Sequence, residues 1–493
     1  RSATWRPSKF AASRSTGASM FMPSARCFTS SFRASGHAPR RAEWQGRALG
    51  EAGRRQVEED ARYFLRQSLS TPCLAAIAKA EGLWIEDTAG RRYMDFHGNN
   101  THHIGYAHPR LIAAVKRQID ALSFAPRRFA NETATALARK LTGIAPRGVD
   151  ETGKTRSLDK VLFTTGGSDA IDVAIKYARA FTGRHRTVSF WDAFHGAGFG
   201  GASVGGEALF RSGIGPLLSG SEHVAPPTCY RCAYGHPAVD GRPALARCGM
   251  ACAGMIRYVL EKQGDVAAVI AEPVRAVPNI PPQDFWRAVR QACDAHGALL
   301  IFDEIPLGLG KTGKMFVAEH FGVVPDLLVL GKSLGGGMLP IAAVLARAEL
   351  DVAGELAFGH YTHEKNPVTA AAALATIEII ESEGLVENAR CQGGRALARL
   401  NEMKSRHRLI GDVRGIGLCL GIELVRDRDG KAPASDEADR ILYRALDRGL
   451  NFKLTQGNVI TLTPPLNVAA AEMDAALVIV DDCIGEEERA SAA

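Results

Sequence analysis

From residue 84 onward, short aliphatic runs without charge alternate with longer amphipathic stretches. Val161 to Thr164, Thr187 to Phe190, Ala267 to Ala271, Ala298 to Phe302 and Leu327 to Leu330 read as buried strands. Asp169 to Thr182, Asp284 to His296 and Pro367 to Glu383 read as helices. Strands separated by helices predict an α/β fold with a mostly parallel, doubly wound sheet. Towards the C-terminus the rhythm changes. A helix near Asn388 to Arg406, strand-like Gly417 to Leu424, a helix near Asp436 to Arg448 and the run Val459 to Leu462 precede Pro464-Pro465. This pattern predicts a smaller α+β domain over 376–493, completed by an N-terminal segment, 56–110, with the large domain over 111–375 and a leader over 1–55.

Composition supports a globular reading. The chain has 493 residues, 46% apolar and 23% charged, with 51 Gly and 23 Pro, which excludes disorder, collagen and a mini-protein. The formal charge of +7 suggests an acidic partner until it is located. Residues 1–50 hold nine Lys or Arg and a single acid, Glu43, leaving 51 basic and 52 acidic groups in the rest. The body is therefore neutral, and a nucleic-acid partner is not expected. The Ser- and Arg-rich leader lacks an apolar core segment, so it is similar to an organellar presequence and unlike a secretory signal. The expectation is a disordered leader and a mitochondrial or other organellar location, or a cytoplasmic one if the leader is an extended gene start. No apolar run reaches the roughly 18 residues that span a bilayer.

Ten cysteines are too few for a disulfide scaffold. Cys229, Cys232, Cys248 and Cys252, in a Pro- and Gly-rich insert over 226–252, have a spacing that structural zinc sites use; isolated thiols are the alternative.

Three strand-to-helix junctions carry candidate chemistry, because ligands of α/β sheets gather there. Thr165-Gly166-Gly167-Ser168-Asp169 opens a helix directly after a strand, with glycines for close approach, free N–H groups and a hydroxyl: an anion site suited to phosphate. The strand ending at Phe302 delivers Asp303-Glu304, an acid that needs a cation when desolvated. The strand ending at Leu330 delivers Gly331-Lys332-Ser333 and three more glycines after Leu334. Burial disfavours an ammonium and leaves a lysine available as an amine nucleophile. A phosphate cradle, an acid for a pyridinium proton and a Schiff-base lysine are the parts that pyridoxal 5′-phosphate requires.

With Ile301-Phe302-Asp303-Glu304-Ile305, Gly308-Leu309-Gly310-Lys311-Thr312-Gly313, Pro325-Asp326-Leu327 and Gly331-Lys332-Ser333 in this order, the chain resembles the class III, fold-type I family of pyridoxal-phosphate enzymes. The resemblance implies that Lys332 forms the Schiff base and Asp303 pairs with the pyridine nitrogen. Ile305 and Phe194, the latter in Phe194-His195-Gly196, would flank the ring, Gly167 and Ser168 would bind the phosphate, and Glu272 matches an acid near the cofactor. Thr362 matches a threonine that reaches the phosphate of the neighbouring subunit, which implies a homodimer with shared active sites.

Departures from the family pattern bear on the substrate. Pro306 replaces a hydrogen-bonding glutamine, and Thr461 stands where many members carry an arginine for the substrate carboxylate. The loops Asp95 to His103, Phe124 to Arg128, Ala271 to Arg275 and Gly359 to Pro367 resemble the branch of (R)-1-hydroxy-2-aminoethylphosphonate ammonia-lyases. That resemblance implies elimination of water from a hydroxy-amine, with release of ammonia and phosphonoacetaldehyde; a class III aminotransferase is the alternative. Lys332 would be the base, His97, His102, His103, His360 and His363 are candidates to assist the leaving group, and Arg127, Arg128, Arg275 and Lys453 are candidates for the phosphonate.

Overall fold

A computed structural model describes residues 37–68, 70–71, 73–149, 153–238 and 243–492. Its centre is a seven-stranded sheet in the order Lys160–Thr164, Ala342–Ala346, Leu327–Leu330, Leu299–Asp303, Val266–Ala271, Arg186–Phe190, Ser221–Val224. Every pairing is parallel except the two made by Ala342–Ala346, which runs against both neighbours. The strand Val266–Ala271 is buried along its whole length, as a central parallel strand covered on both faces must be. Helix Gly167–Thr182 covers one face and ends at Gly183, whose φ of 66° supplies the left-handed C-cap. Helix Phe285–His296 packs through Phe285, Trp286 and Val289 into the apolar cluster on the other face.

The C-terminal part forms an antiparallel sheet in the order Ile410–Ile416, Cys419–Leu424, Val459–Leu462, Lys453–Thr455, flanked by helices Leu385–Arg406, Ser435–Asp447 and Ala470–Ala492. Strands Ile77–Glu81, Trp84–Asp87 and Arg92–Asp95 make a separate sheet, which Leu450–Asn451 joins in parallel beside Arg92–Asp95. The two chain ends are thus stitched together.

One expectation is corrected. The leader does not extend to residue 55, because His37–Ala48 and Glu51–Tyr63 are helices. Trp44 is only 1% exposed and packs with Leu49 and Val57 against Tyr93, Tyr443 and Leu446. Arg40 meets Asp439 at 2.8 Å and Arg47 meets Asp447 at 3.1 Å, so part of the N-terminal positive charge is structural. Residues 1–36, on which the targeting expectation falls, lie outside the described residues. Among the described residues no helix is long and apolar enough to cross a membrane.

Candidate active site

The carboxyl ends of the parallel strands converge on Lys332. The strand Leu327–Leu330 ends at Gly331, and the chain turns at once into a short 3-10 helix, Lys332–Gly335. Lys332 has a φ of 44°, a left-handed conformation that costs a non-glycine residue about 1–3 kcal/mol. Its amine is buried, which lowers its pKa; Asp303 and Glu272 oppose that shift.

Asp303, 2% exposed, ends the neighbouring strand. One carboxylate oxygen meets His195 Nδ1 at 2.8 Å, and the other accepts a hydrogen bond from the Ile305 amide at 3.0 Å. His195 Nε2 is buried without a partner. The two side chains lock each other in place, which fixes the position of the carboxylate.

Gly167 is the first residue of helix Gly167–Thr182, with Gly166 as its N-cap. A Cβ at Gly167 would stand 2.8 Å from Ile305 Cδ1, so only glycine keeps this corner open. The Ser168 hydroxyl accepts from the Gly198 amide at 2.8 Å and so pins the loop that carries Phe194 and His195. Gly196, at φ 123°, lets that loop cross Ser168, where a Cβ would meet Ser168 Oγ at 2.7 Å. Phe194 is half-buried, with its ring 4.4 Å from that of Phe210.

The helix amides, the open glycine corner, the braced carboxylate and the buried amine suit the phosphate, ring nitrogen and aldehyde of a pyridoxal 5′-phosphate. Residues 66–484 match the family model described as Aminotransferase class-III. The chain belongs to the class III aminotransferase family. It is 43% identical over 458 residues to the (R)-1-hydroxy-2-aminoethylphosphonate ammonia-lyase of Vibrio splendidus (strain 12B01), covering 91% of this chain and 93% of that protein. To the leucine/methionine racemase of Thermococcus litoralis it is 36% identical, over 88% of this chain and 95% of the relative. Among solved structures it is similar to a Bacillus anthracis aminotransferase, with a TM-score of 0.79 and 30% identity over 88% of this chain and 98% of that one. This class III chain is accordingly a pyridoxal-phosphate enzyme that acts on small amines.

The remaining predicted residues divide sharply. Glu272 accepts from the Ala276 amide at 3.0 Å, and burial raises its pKa. Arg275 lies among three carboxylates: 2.6 Å from Asp192, in direct contact with Glu207, and 3.8 Å from Glu272. Its two terminal nitrogens brace the cleft wall, while its Nε is buried without a hydrogen-bond partner. Arg275→Ala leaves the carboxylates of Asp192 and Glu207 without their cation, and an unfolding loss of about 3–5 kcal/mol is expected in denaturant titrations.

His102 and His103 are both 0% exposed; their Nε2 atoms contact the Asp95 carbonyl at 3.0 Å and the Gly308 carbonyl at 3.1 Å. They hold the 95–106 loop and do not face solvent. Burial, helped by the charge of Lys453, pushes the pKa of His97 down to about 4, so it is neutral at physiological pH. Arg127 contacts His360, Phe124 packs edge-on against His363 at 5.4 Å, and Asn131 Nδ2 donates to the Lys365 carbonyl at 2.9 Å. The 124–131 and 359–366 loops therefore form one unit, with Arg128 and Thr362 exposed on it. Cys229, Cys232, Cys248 and Cys252 line a cavity of about 20 Å³ with Tyr234 and His236. Among the described residues, no group of three or more His, Cys, Asp or Glu is placed to hold a metal ion.

Two residues of this class III site were missed by sequence reasoning. Asp95 accepts from the amides of His97 and Gly98, from Asn451 Nδ2 at 2.8 Å and from the Tyr106 hydroxyl at 2.7 Å, fixing the loop over the cleft. Lys311 is 0% exposed and donates to the Pro464 carbonyl at 2.6 Å, which ties the large domain to the C-terminal one. Burial lowers its pKa to about 7 from 10.5. The folded chain then binds fewer protons than the unfolded chain between those values, so this group makes stability rise with pH across that window; below it the full cost of a buried ammonium is present. Lys311→Met is expected to flatten that rise: the melting-temperature difference between variant and wild type shrinks or reverses from pH 9 to pH 6. A difference independent of pH over this range would contradict it.

Proposed function

We propose that this enzyme is an ammonia-lyase acting on a 2-amino-1-hydroxyalkylphosphonate. The observation that carries this reading is at Thr461. It is 3% exposed and its hydroxyl lies 2.8 Å from that of Thr455, so this strand presents no guanidinium to a substrate carboxylate. The likeness to the ammonia-lyase across 91% of the chain supports it.

When bound, pyridoxal phosphate withdraws electrons from the carbon bearing the substrate nitrogen and so acidifies its proton. Asp303 would hold the proton on the ring nitrogen, and Gly167 and Ser168 would hold the phosphate. Lys332 Nζ, with its charged form disfavoured by burial, takes the proton from that carbon. The hydroxyl on the next carbon then leaves as water, taking up one proton. The unsaturated amine tautomerises to an imine, and its hydrolysis regains one water and gives phosphonoacetaldehyde and ammonia. The substrate is thereby converted without any net oxidant or reductant.

The exposed position of Thr362 supports a homodimer, in which the joined 124–131 and 359–366 loops complete the site of the neighbouring subunit.

The test is ammonia release from (R)-2-amino-1-hydroxyethylphosphonate by holoenzyme without a carbonyl acceptor. Ammonia formed only when pyruvate or 2-oxoglutarate is added overturns the lyase reading in favour of transamination.

A further inference from the structure

The cleft needs a cation for an anionic substrate terminus, and its most central arginine is already engaged. Arg275 touches Asp192 and Glu207 and lies near Glu272, so its charge is already balanced by the protein's own carboxylates. Another basic side chain, Lys453, lies on a hairpin tied to the same cleft wall. Partial desolvation lowers the pKa of Lys453, and the charges of Glu207, Lys332, Arg275 and Glu272 also act on it. Its amine makes no hydrogen bond or ion pair among the described residues, and the residue is exposed in this chain.

Its position follows from strand register. Lys453 begins the edge strand Lys453–Thr455 and lies directly opposite Thr461 in the antiparallel pairing with Val459–Leu462. Opposed residues of an antiparallel pair project from the same face with Cβ atoms about 4.5–5.5 Å apart. The cation that Thr461 lacks is therefore supplied one strand away, on the same face. Gln456, in the turn after this strand, contacts the Asp192 carboxylate at 3.3 Å and anchors the hairpin to the cleft wall.

We propose that Lys453 is the receptor for the anionic end of the substrate and sets the preference for a tetrahedral phosphonate. A guanidinium offers a planar fork that matches a planar carboxylate, whereas an ammonium is a compact point charge with three rotatable donors that suits tetrahedral oxygens. With Thr461 closed by its hydroxyl pair, this face offers the Lys453 ammonium, while the Arg414 fork two strands from Thr461 is held by Asp412, Glu423 and the Pro278 carbonyl. This assignment rests on the phosphonate reading above. Lys453 acts on substrate position and not on the proton transfer, so binding and turnover separate.

The experiment compares Lys453→Met and Lys453→Arg holoenzymes with wild type. It measures KM and kcat for acceptor-free ammonia release, and the dissociation constant of methylphosphonate by calorimetry. Removing a charge-assisted hydrogen bond from the cleft is expected to raise KM and the methylphosphonate dissociation constant about tenfold to a hundredfold in Lys453→Met, with kcat changed far less. Lys453→Arg restores most of the affinity, because charge and reach return. Melting temperatures that match wild type separate this from a folding defect. If Lys453→Met leaves KM and methylphosphonate affinity within about twofold of wild type, the assignment is wrong. If wild type releases no ammonia without acceptor, yet Lys453→Met still weakens methylphosphonate binding at least tenfold, Lys453 keeps its role as anion receptor and the lyase reading falls instead.

Discussion

Lys332→Ala is expected to lower turnover by on the order of a thousandfold or more, because it removes both the amine nucleophile and the base. The methyl group left behind holds no proton, and the neighbouring carboxylates Asp303 and Glu272 are committed elsewhere: Asp303 to His195 and the Ile305 amide, Glu272 to the Ala276 amide. Neither replaces an amine at the same place. Binding of the cofactor should survive in part, since Gly167, Ser168 and Asp303 remain. Borohydride is therefore expected to fix the cofactor covalently to the wild type and not to the variant, while dialysis removes it only from the variant. A small primary amine added to the medium should restore a fraction of the activity. The substitution keeps the Cβ and removes a buried amine whose charged form burial disfavours, so the melting temperature should not fall with activity. Full activity in Lys332→Ala would refute any catalytic reading of the site.

The junctions that place Lys332, Asp303 and Gly167 were legible because each follows an uninterrupted aliphatic run. Ile301-Phe302 ahead of Asp303 and Val329-Leu330 ahead of Gly331 announce central strands, and a polar residue directly after one lands at the sheet's carboxyl edge. Two strands of the same sheet escaped. Ser221–Val224 is short and polar, as an edge strand can be, since one side has no pairing to satisfy. Ala342–Ala346 is rich in alanine, which favours helix more than strand, and its antiparallel course breaks the alternation on which the parallel reading relied. The helix around Trp44 was hidden by its arginines, because its buried stripe consists of little more than Trp44 and Ala48.

Charged side chains were the least legible. Arg275 looked available for a phosphonate, yet its partners Asp192 and Glu207 stand 83 and 68 residues earlier, a separation that no local pattern bridges. The same holds for Lys311. In sequence it is one polar residue of a glycine-rich motif, and only the fold shows that it spans the two domains to reach Pro464. His102 and His103 show the converse, since a pair of adjacent histidines in a polar loop suggests chemistry but serves backbone carbonyls. Lys453 was legible as a candidate, and the register opposite Thr461 is what distinguishes it from Arg275.

Asp303→Asn should be the second most damaging change, with turnover reduced by about a hundredfold to ten-thousandfold while the cofactor stays bound. Asparagine has nearly the shape of aspartate, so the loss isolates the charge. The carboxylate keeps a proton on the cofactor's ring nitrogen, and a neutral amide gives that proton no counter-charge. Two buried contacts depend on the same group: His195 Nδ1 at 2.8 Å and the Ile305 amide at 3.0 Å. With His195 Nδ1 protonated, both partners are donors, and asparagine offers a single acceptor. Either one donor goes unsatisfied, at a cost of about 1–3 kcal/mol, or His195 moves its proton to Nε2 and accepts from the asparagine amide, so the melting temperature falls modestly at most. Asp303→Glu separates the two effects: it keeps the charge but is one methylene too long for a site closed by Ile305 and His195, and should recover part of the turnover with a larger stability loss. The decisive readout is kcat, because Thr461, Lys453 and the phosphate corner are untouched and substrate binding should change little. If Asp303→Asn retains more than about a tenth of wild-type turnover, the electron sink does not depend on this carboxylate, and the role assigned to the Asp303–His195 pair falls.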